Sequence, residues 1–251
     1  MNSAAGAPLL VEEHDDHVVL RLNRPEVRNA IDLATVKALH DACARIEQKP
    51  AVAIIVGSGG TFASGADVGQ LRERRRDDAL AGINSGIFDR IHQLPMPVIA
   101  LIDGYALGGG AELAYACDFR IGTHSAKIGN PEPGLGILPA AGAAWRLREL
   151  VGEPLAKEVL LAGRVLYAHE AHAVGLLNEV VNSEQLDAAG RRLAGRIAAQ
   201  APLAVRLTKS AFHAPRDAHP LIDNLAQAVL FETQDKHDRM TAFLERRKEE
   251  G

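Results

Sequence analysis

Hydrophobic and polar positions vary along the chain in a pattern that predicts an α/β fold. Segments rich in Val and Leu at 8–13 and 17–22 flank a polar turn and predict two adjacent strands. Asp32 then precedes apolar residues at helical spacing, which predicts an N-cap and a helix. The apolar run 51–56 ends in glycines, as expected for a buried strand that enters a loop.

The alternation of predicted strands and helices continues along the chain until mostly helices are predicted. The pattern predicts a helix over 79–93, a buried strand over 97–102, a helix over 112–117 and a strand over 119–121. From about Trp145 onward the strand signals become sparse, and mostly helical segments are predicted at 154–161, 168–174, 185–199, 202–213 and 220–247. The chain is therefore expected to form an α/β core over 1–195 and a C-terminal helical region over 196–251.

Composition and charge narrow the classes of function. The 251 residues are 47% hydrophobic, which is enough for a large core, and the net charge is −4. The basic run 72–76 contains an acid and precedes two aspartates, so nothing favours a nucleic-acid partner. No apolar stretch reaches about 18 residues and the N-terminus lacks the features of a signal peptide, so we expect no membrane span and a cytoplasmic protein. Cys43 and Cys117 are expected to be buried free thiols.

Two glutamates in glycine-rich segments carry most of the chemical information. Glu112 follows the glycines at 108–110, and Glu132 lies between two prolines in the loop 129–136. Glycine lets a backbone approach a ligand closely, and a helix that begins near Glu112 leaves its first N–H groups unpaired. One such N–H, with a second from the 64–66 loop, can polarise a carbonyl. Two carboxyl groups can move protons on a single water molecule.

Each of these features also has a purely structural interpretation. Glycine loops make tight turns between strands and helices, and Glu112 can be an exposed first-turn residue favoured by the helix dipole. Glu132 can be a solvated loop residue. Asp67, which follows the 64–66 loop, fits a cap that holds the loop better than it fits a proton carrier. The residues alone leave these alternatives open.

Other catalytic motifs are missing from the sequence. The glycine segment lacks the Gly-Lys-Ser/Thr ending of a phosphate-binding loop, and Ser64 does not lie in a Gly-x-Ser-x-Gly elbow. His169 and His172 are three residues apart, whereas the zinc proteases place two histidines four apart. We therefore expect these histidines at the surface or at a helix start, and we predict no metal site.

A longer series of motifs runs in order along residues 9–248. Its members are Leu22-Asn23-Arg24-Pro25 with Arg28-Asn29-Ala30, Phe62-Ala63-Ser64-Gly65-Ala66-Asp67, Pro97-Val98-Ile99-Ala100, Asp103 through Ala114, Cys117-Asp118, Pro131-Glu132-Pro133-Gly134-Leu135-Gly136-Ile137-Leu138-Pro139, Ala171-x-x-x-Gly175-Leu176 and Ala242-Phe243-Leu244-Glu245-Arg246-Arg247. Taken jointly, this series resembles the crotonase family, also called the enoyl-CoA hydratase/isomerase superfamily.

The resemblance implies both a fold and a site. The expected fold is a spiral of ββα units with a C-terminal helical region that packs in trimers, often paired into hexamers. The expected substrate is an acyl-CoA thioester whose carbonyl lies between the N–H groups of Ala66 and Gly109. CoA is part of that substrate, and no metal or redox cofactor is expected. Further contacts to the substrate or its CoA are expected from Arg28, Ala63, Ser64, Gly65, Asp67, Gly108 and Trp145.

The resemblance also favours one activity. Glu112 and Glu132 occupy the two positions that carry glutamates in family hydratases, whereas many relatives with other reactions keep one or neither. We therefore expect an enoyl-CoA hydratase that adds water syn across a trans-2-enoyl-CoA. In that reaction Glu112 deprotonates the water that adds to C3, and Glu132 supplies the proton to C2. A Δ3,Δ2-enoyl-CoA isomerase and a non-catalytic acyl-CoA binding protein are the alternatives.

The sequence departs from the family pattern near the expected acyl pocket. Ala140 and Ala143 stand where glycines are common, and Trp145 is unusual. Asp238-Arg239 stands where Glu-Gly is frequent. These changes can reshape the pocket or the CoA contacts, so the length and branching of the acyl chain stay open.

Overall fold

The chain forms two β-sheets whose strands alternate along the sequence. The structure is a computed structural model, and it describes residues 6–249 and the side chains of residues 6–247. Its strands are β1 (Leu9–Glu13), β2 (His17–Leu22), β3 (Val52–Gly57), β4 (Val98–Ile102), β5 (Tyr105–Leu107), β6 (Phe119–Thr123), β7 (Lys127–Gly129), β8 (Leu166–Tyr167) and β9 (Glu179–Val181).

Helices connect these strands and form the whole C-terminal part of the described chain. They are α1 (Leu33–Gln48), α2 (Val68–Glu73), α3 (Arg76–Leu80), α4 (Ile83–His92), α5 (Gly109–Ala116), α6 (Ala143–Val151), α7 (Glu153–Ala162), α8 (Ala168–Ala173), α9 (Leu186–Ala198), α10 (Pro202–Phe212), α11 (Leu221–Phe231) and α12 (Gln234–Glu249). Short 3-10 turns lie at Pro25–Val27, Glu132–Leu135, Ser183–Gln185 and Arg216–Ala218.

The larger sheet has the strand order β1-β2-β3-β4-β6-β9. Its neighbouring strands are parallel, except that β1 runs antiparallel to β2. The smaller sheet has the order β5-β7-β8, with β5 parallel and β8 antiparallel to β7. Because β5 directly follows β4 and β7 directly follows β6, successive strand pairs give one strand to each sheet. The α/β class that the sequence predicts is confirmed.

The core lies on both faces of the larger sheet. On one face, Ile55 and Ile102 pack in a cluster with apolar side chains of α1, α4 and α5. On the other face, Ile54 and Leu101 pack in a second cluster with side chains of α9. Since both faces are covered, every residue of β4 and every residue of β3 except Gly57 is buried. This explains why these strands are continuous apolar runs in the sequence.

Most predicted elements are present, although several have different bounds. The Asp32 N-cap is confirmed, because the Thr35 N–H donates to Asp32 Oδ1 at 2.7 Å. The helix predicted over 79–93 is instead the two helices α3 and α4, separated at Gly82. The helix predicted over 220–247 is divided into α11 and α12. At that break the Thr233 hydroxyl accepts a hydrogen bond from the Lys236 N–H at 3.3 Å.

The sequence pattern missed four short strands. β5, β7, β8 and β9 contain two or three residues each, which is too few to establish a period of two. They are extended because they pair with distant segments. β8 and β9 also lie in the part of the chain where strand signals become sparse. The domain boundary predicted after residue 195 falls inside α9, which packs on the larger sheet; the division into two regions stays a prediction.

The first of the C-terminal helices is attached to the sheet by a buried ion pair. Lys209 of α10 donates to Asp118 Oδ2 at 2.7 Å and to the Met96 carbonyl at 3.3 Å. The same Asp118 oxygen accepts the Val98 N–H at 2.7 Å, so α10 is held at the start of β4. A buried charge requires such pairing, because an isolated one is strongly disfavoured.

Two further expectations concern cysteines and membranes. Cys43 and Cys117 are both buried and free, as predicted. Among the described helices, none has both the length and the apolar character that crossing a bilayer requires.

We expect Gly110→Ala to destabilise the fold, because α5 lies tightly against the segment that contains Ala63. A Cβ on Gly110 would overlap the Ala63 carbonyl oxygen and lie 2.8 Å from the Ala63 Cβ. Overpacking of this kind costs roughly 1–3 kcal/mol or more in the free energy of unfolding. Urea unfolding of wild type and variant measures the difference.

The matched control is Gly86→Ala in α4. A Cβ on Gly86 meets nothing within 4 Å, so this variant should gain helix propensity of up to about 1 kcal/mol. Equal stability of the Gly110→Ala protein and wild type would contradict the close contact.

Candidate active site

A cavity of about 420 Å³ opens between the beginning of α5 and the segments that surround it. The loop before α2 forms one wall, α2 to α4 form another, and the loop 131–141 closes the far side. Seven of the residues predicted for the site line this cavity: Ser64, Gly65, Ala66, Gly108, Gly109, Glu112 and Glu132. Segments that lie up to 68 positions apart in sequence therefore meet at one place.

The Ala66 amide faces away from its neighbouring strand segment. The Ile31 N–H donates to the Gly65 carbonyl at 2.8 Å, and the Asp67 N–H donates to the Ile31 carbonyl at 3.1 Å. Along an extended segment the amides alternate in direction, so the Ala66 N–H points to the opposite side. It donates to no group among residues 6–249. The amide is consequently available to a ligand.

The Gly109 amide lies beside it. Gly109 is the first residue of α5, so its N–H has no partner within the helix, and the described residues provide none outside it. A Cβ built on Gly109 would lie 3.3 Å from the Ala66 nitrogen. Two unpaired amides, one of them at a helix N-terminus, are the donors that stabilise negative charge on a carbonyl oxygen.

Glu112 lies in the first turns of α5 and points into the same cavity. It is 3% exposed, and its Oε1 accepts the Ala141 N–H at 2.7 Å and the Ala143 N–H at 3.1 Å. Burial raises the pKa of Glu112 from 4.5 to about 7, the Ala143 bond opposes the rise, and the nearby Glu132 adds to it. The interpretation of Glu112 as an exposed first-turn residue is therefore wrong.

Glu132 is also buried, at 7% exposed, so it is not a solvated loop residue. Its Oε1 accepts a long hydrogen bond of 3.4 Å from Asn130, whose own Oδ1 accepts the Tyr115 hydroxyl at 3.1 Å. Its Oε2 has no hydrogen-bond partner in the part of the chain that the structure describes. Burial raises the pKa of Glu132 as well.

Two carboxyl groups in one cavity influence each other's ionisation. Both pKa values are raised by burial, and the charge of one carboxylate disfavours the ionisation of the other. A carboxyl with a pKa near 7 can serve as a proton donor or a proton acceptor under physiological conditions. The site can therefore polarise a carbonyl and move protons beside it.

Four predicted site residues lie outside the cavity lining. Ala63 is fully buried behind α5, where its carbonyl accepts the Leu107 N–H. Asp67 caps α2 by accepting the Gln70 N–H at 3.0 Å. Arg28 is exposed in a turn, and its carbonyl accepts the Ser64 N–H. Trp145 is 46% exposed. The structure brings none of these side chains to the two glutamates.

Sequence reasoning missed the apolar walls of the cavity and the residues that support the glutamates. The walls include the side chains of Leu71, Ile83, Leu135, Ile137 and Leu138. The last three are large apolar residues within a glycine-proline segment, and that pattern is the one sequence signal that marks them. Asn130, which donates to Glu132 Oε1, carried no comparable signal.

A metal centre was not predicted. Among the residues that the structure describes, no three His, Cys, Asp or Glu side chains converge in a way that could hold a metal ion. His169 and His172 are exposed at the start and the end of α8, as expected.

Comparison with known proteins gives a consistent picture. A family model described as enoyl-CoA hydratase/isomerase matches residues 13–250. A crotonyl-CoA hydratase from Syntrophomonas wolfei is 40% identical over 249 residues, which are 96% of each chain. A short-chain-enoyl-CoA hydratase from Clostridium acetobutylicum is 34% identical over 252 residues, which are 97% of each chain.

A solved structure shares the fold. The crystal structure of an enoyl-CoA hydratase from Bacillus anthracis superimposes with a TM-score of 0.90 at 33% identity, covering 95% of this chain and 96% of that one. The spiral of ββα units expected from the motifs is thereby confirmed.

We expect Glu112→Gln to be more stable than wild type at neutral pH. The folded protein holds the Glu112 proton more tightly than the unfolded chain, so the stability of wild type falls as the pH rises from 4.5 to about 7. A glutamine keeps an oxygen that can accept the hydrogen bonds from the two amides, and its side chain does not ionise. The rise from 4.5 to about 7 corresponds to roughly 3 kcal/mol.

Urea unfolding at pH 5, 6.5 and 8 measures this difference. The stability gap between Glu112→Gln and wild type should widen as the pH rises, while the exposed control Glu149→Gln should follow wild type throughout. A gap that does not depend on pH would argue against the raised pKa.

Proposed function

This chain belongs to the enoyl-CoA hydratase/isomerase family, and from that premise we propose that it is an enoyl-CoA hydratase. It adds water across the 2,3 double bond of a trans-2-enoyl-CoA and gives a 3-hydroxyacyl-CoA. The observation that carries the proposal is the pair of buried glutamates, Glu112 and Glu132, in one cavity with two unpaired amides. CoA enters as part of the substrate, and the proposed reaction uses no separate cofactor.

The two amides are proposed to bind the thioester oxygen. The N–H groups of Ala66 and Gly109 donate to it and withdraw electron density from the conjugated double bond, which makes C3 electrophilic. When water adds, negative charge develops on this oxygen as an enolate. Each donor in such an oxyanion hole contributes roughly 3–4 kcal/mol to the stability of the transition state.

The glutamates are proposed to divide the proton transfers. In the free site the charge of Glu132 raises the pKa of Glu112, so the reactive state is the one in which the proton held by the pair lies on Glu132. Ionised Glu112 then accepts a proton from the water whose oxygen forms the bond to C3. Protonated Glu132 gives its proton to C2 as the enolate collapses. Both carboxyl groups face one cavity, so hydroxyl and proton arrive from the same side and the addition is syn. Exchange of protons with solvent restores the starting state of both groups.

The acyl group is proposed to be short. The wall beyond the glutamates is apolar and includes Leu71, Ile83 and Leu138, so it suits a hydrocarbon chain. Two relatives carry the names crotonyl-CoA hydratase and short-chain-enoyl-CoA hydratase. Crotonyl-CoA is therefore the first substrate to test. The cytoplasmic location stays a prediction.

Replacing either glutamate by glutamine should nearly abolish hydration. General acid–base groups contribute typically about 10²–10⁴-fold to rate, so Glu112→Gln and Glu132→Gln should each lower kcat for crotonyl-CoA by at least about 100-fold. The loss of the enoyl-thioester absorbance measures the rate, and mass spectrometry identifies the water adduct. Calorimetry with a saturated acyl-CoA should show that both variants still bind the thioester.

The exposed Glu184→Gln serves as the control and should leave kcat unchanged. Undiminished hydration by Glu132→Gln would refute the role of that residue as the acid. Rapid conversion of a 3-enoyl-CoA to its 2-enoyl isomer, with negligible hydration, would identify an isomerase. Tight binding without any product would identify a non-catalytic acyl-CoA binding protein.

We also propose that the protein assembles as a homotrimer or as a pair of trimers through its C-terminal helices. Large apolar side chains of this region stand exposed in the single chain: Phe212, Leu221, Leu225, Val229 and Phe231. Exposed apolar patches on a protein of this kind mark interfaces.

Leu225→Glu should therefore weaken assembly, because it places a charge in the proposed interface. Light scattering coupled to size exclusion should show a smaller species for this variant. The control Leu161→Glu changes a similarly exposed leucine on α7 and should assemble as wild type does. Unaltered assembly of Leu225→Glu would place the interface elsewhere.

A further inference from the structure

Arg146 is a buried cation close to the catalytic glutamates, and the proposed mechanism does not use it. It lies on α6 and is 5% exposed. Its Nη2 donates to Asp89 Oδ1 of α4 at 2.5 Å, and its Nη1 donates to the Ala141 carbonyl at 3.2 Å. Its Nε is buried and has no hydrogen-bond partner among residues 6–249. A buried guanidinium with an incomplete set of partners needs an explanation beyond stability.

The Ala141 carbonyl occupies a particular place in the site. It belongs to the peptide that joins Ala141 to Gly142. The peptides on either side of it supply the N–H groups of Ala141 and Ala143, and both N–H groups donate to Glu112 Oε1. Fixing the middle peptide therefore orients both amides that hold the carboxyl group.

The backbone at Gly142 makes room for this contact. Its φ of 126° is one that residues with a side chain rarely adopt, and a Cβ there would overlap Arg146 Nη1. The Trp145 ring also lies close to the guanidinium, with its centroid 5.1 Å from Arg146 Cζ. The cation is thus enclosed between Asp89, the 141–143 backbone and the indole ring.

We propose that Arg146 is a positioning residue for Glu112. Anchored by Asp89, its guanidinium holds the 141–142 peptide so that both flanking amides stay directed at the carboxyl group. It also links α4, whose first residues line the cavity, to the loop that supports the catalytic base. This inference rests on the proposed hydratase reaction, in which Glu112 must be held where its water attacks C3.

Charge adds a second effect to this geometry. The groups that face Glu112 are the Glu132 carboxyl, the Tyr115 hydroxyl of its own helix, the Arg146 cation and, through Arg146, Asp89. Burial is the main cause that raises the pKa of Glu112, Glu132 adds to it, and Arg146 opposes it. Removing the cation should therefore raise the pKa of Glu112 further and move the acidic limb of the pH–rate profile to higher pH.

The experiment compares Arg146→Met, Arg146→Lys and Asp89→Asn with wild type in the hydration of crotonyl-CoA. Arg146→Met should lose at least 10-fold in kcat while KM changes less than threefold, because the carboxyl is misplaced but the thioester site is intact. Its acidic limb should also move upward. Arg146→Lys should recover part of kcat, and Asp89→Asn should lose at least threefold.

The matched control is Arg148→Met on the same helix. Arg148 is mostly exposed, and its one ion pair within the described part of the chain is with Glu153 at 3.3 Å, so this variant should keep the kcat and the pH profile of wild type. Thermal unfolding of each variant separates misfolding from misplacement. A folded Arg146→Met protein with kcat within twofold of wild type and an unmoved acidic limb would overturn the proposal.

Two further outcomes remain decisive. If Arg146→Met does not fold, Asp89→Asn provides the test, because Asp89 is half exposed and its replacement should not prevent folding. A kcat of Asp89→Asn within twofold of wild type would then reject the inference.

If wild type itself hydrates no enoyl-CoA, the proposed function fails separately. Carboxyl ¹³C NMR, with the Glu112 signal assigned by Glu112→Gln, then measures the pKa of Glu112 in wild type and in Arg146→Met, which lacks the cation. Identical values would overturn the positioning role.

Discussion

The burial of two carboxyl groups in one cavity is the constraint on which the rest of the site depends. Moving a carboxylate out of water is costly unless hydrogen bonds or opposite charges compensate it. The protein compensates Glu112 with two backbone amides and leaves one oxygen of Glu132 without a partner. This partial compensation keeps both pKa values raised by burial. A fully satisfied pair would be more stable and less able to transfer a proton.

The fold meets this constraint by bringing backbone very close to backbone. α5 is buried along its whole length, and Gly110 lies against the Ala63 carbonyl with no space for a side chain. That contact fixes the beginning of α5 next to the Ala66 segment. The Gly109 and Ala66 amides are consequently neighbours, although the two residues are far apart in sequence. The packing of α5 against the Ala63 segment therefore also brings the two amides together.

The sequence could predict the parts of this arrangement that are local. The central strands, the Asp32 cap and the glycine segment before Glu112 follow from periodicity and turn chemistry. The alternatives for Glu112 and Glu132 could not be decided, because burial depends on which segments meet. The loop amides that hold Glu112 come from about 30 residues further along the chain. Short strands such as β8 were missed for the same reason, since pairing rather than propensity extends them.

The departures at Ala140 and Ala143 show how the site tolerates change. Among the described residues, the hydrogen bonds to Glu112 come from backbone N–H groups of the 141–143 turn, so an alanine at 143 contributes the same donor as a glycine would. The conformation that excludes side chains is confined to Gly142, where φ is 126° and Arg146 lies against the α-carbon. Ala140 instead adds a methyl group to the cavity wall. The turn thus separates two effects: Gly142 permits the close approach of Arg146 beside the amides that hold Glu112, and Ala140 takes up space in the cavity.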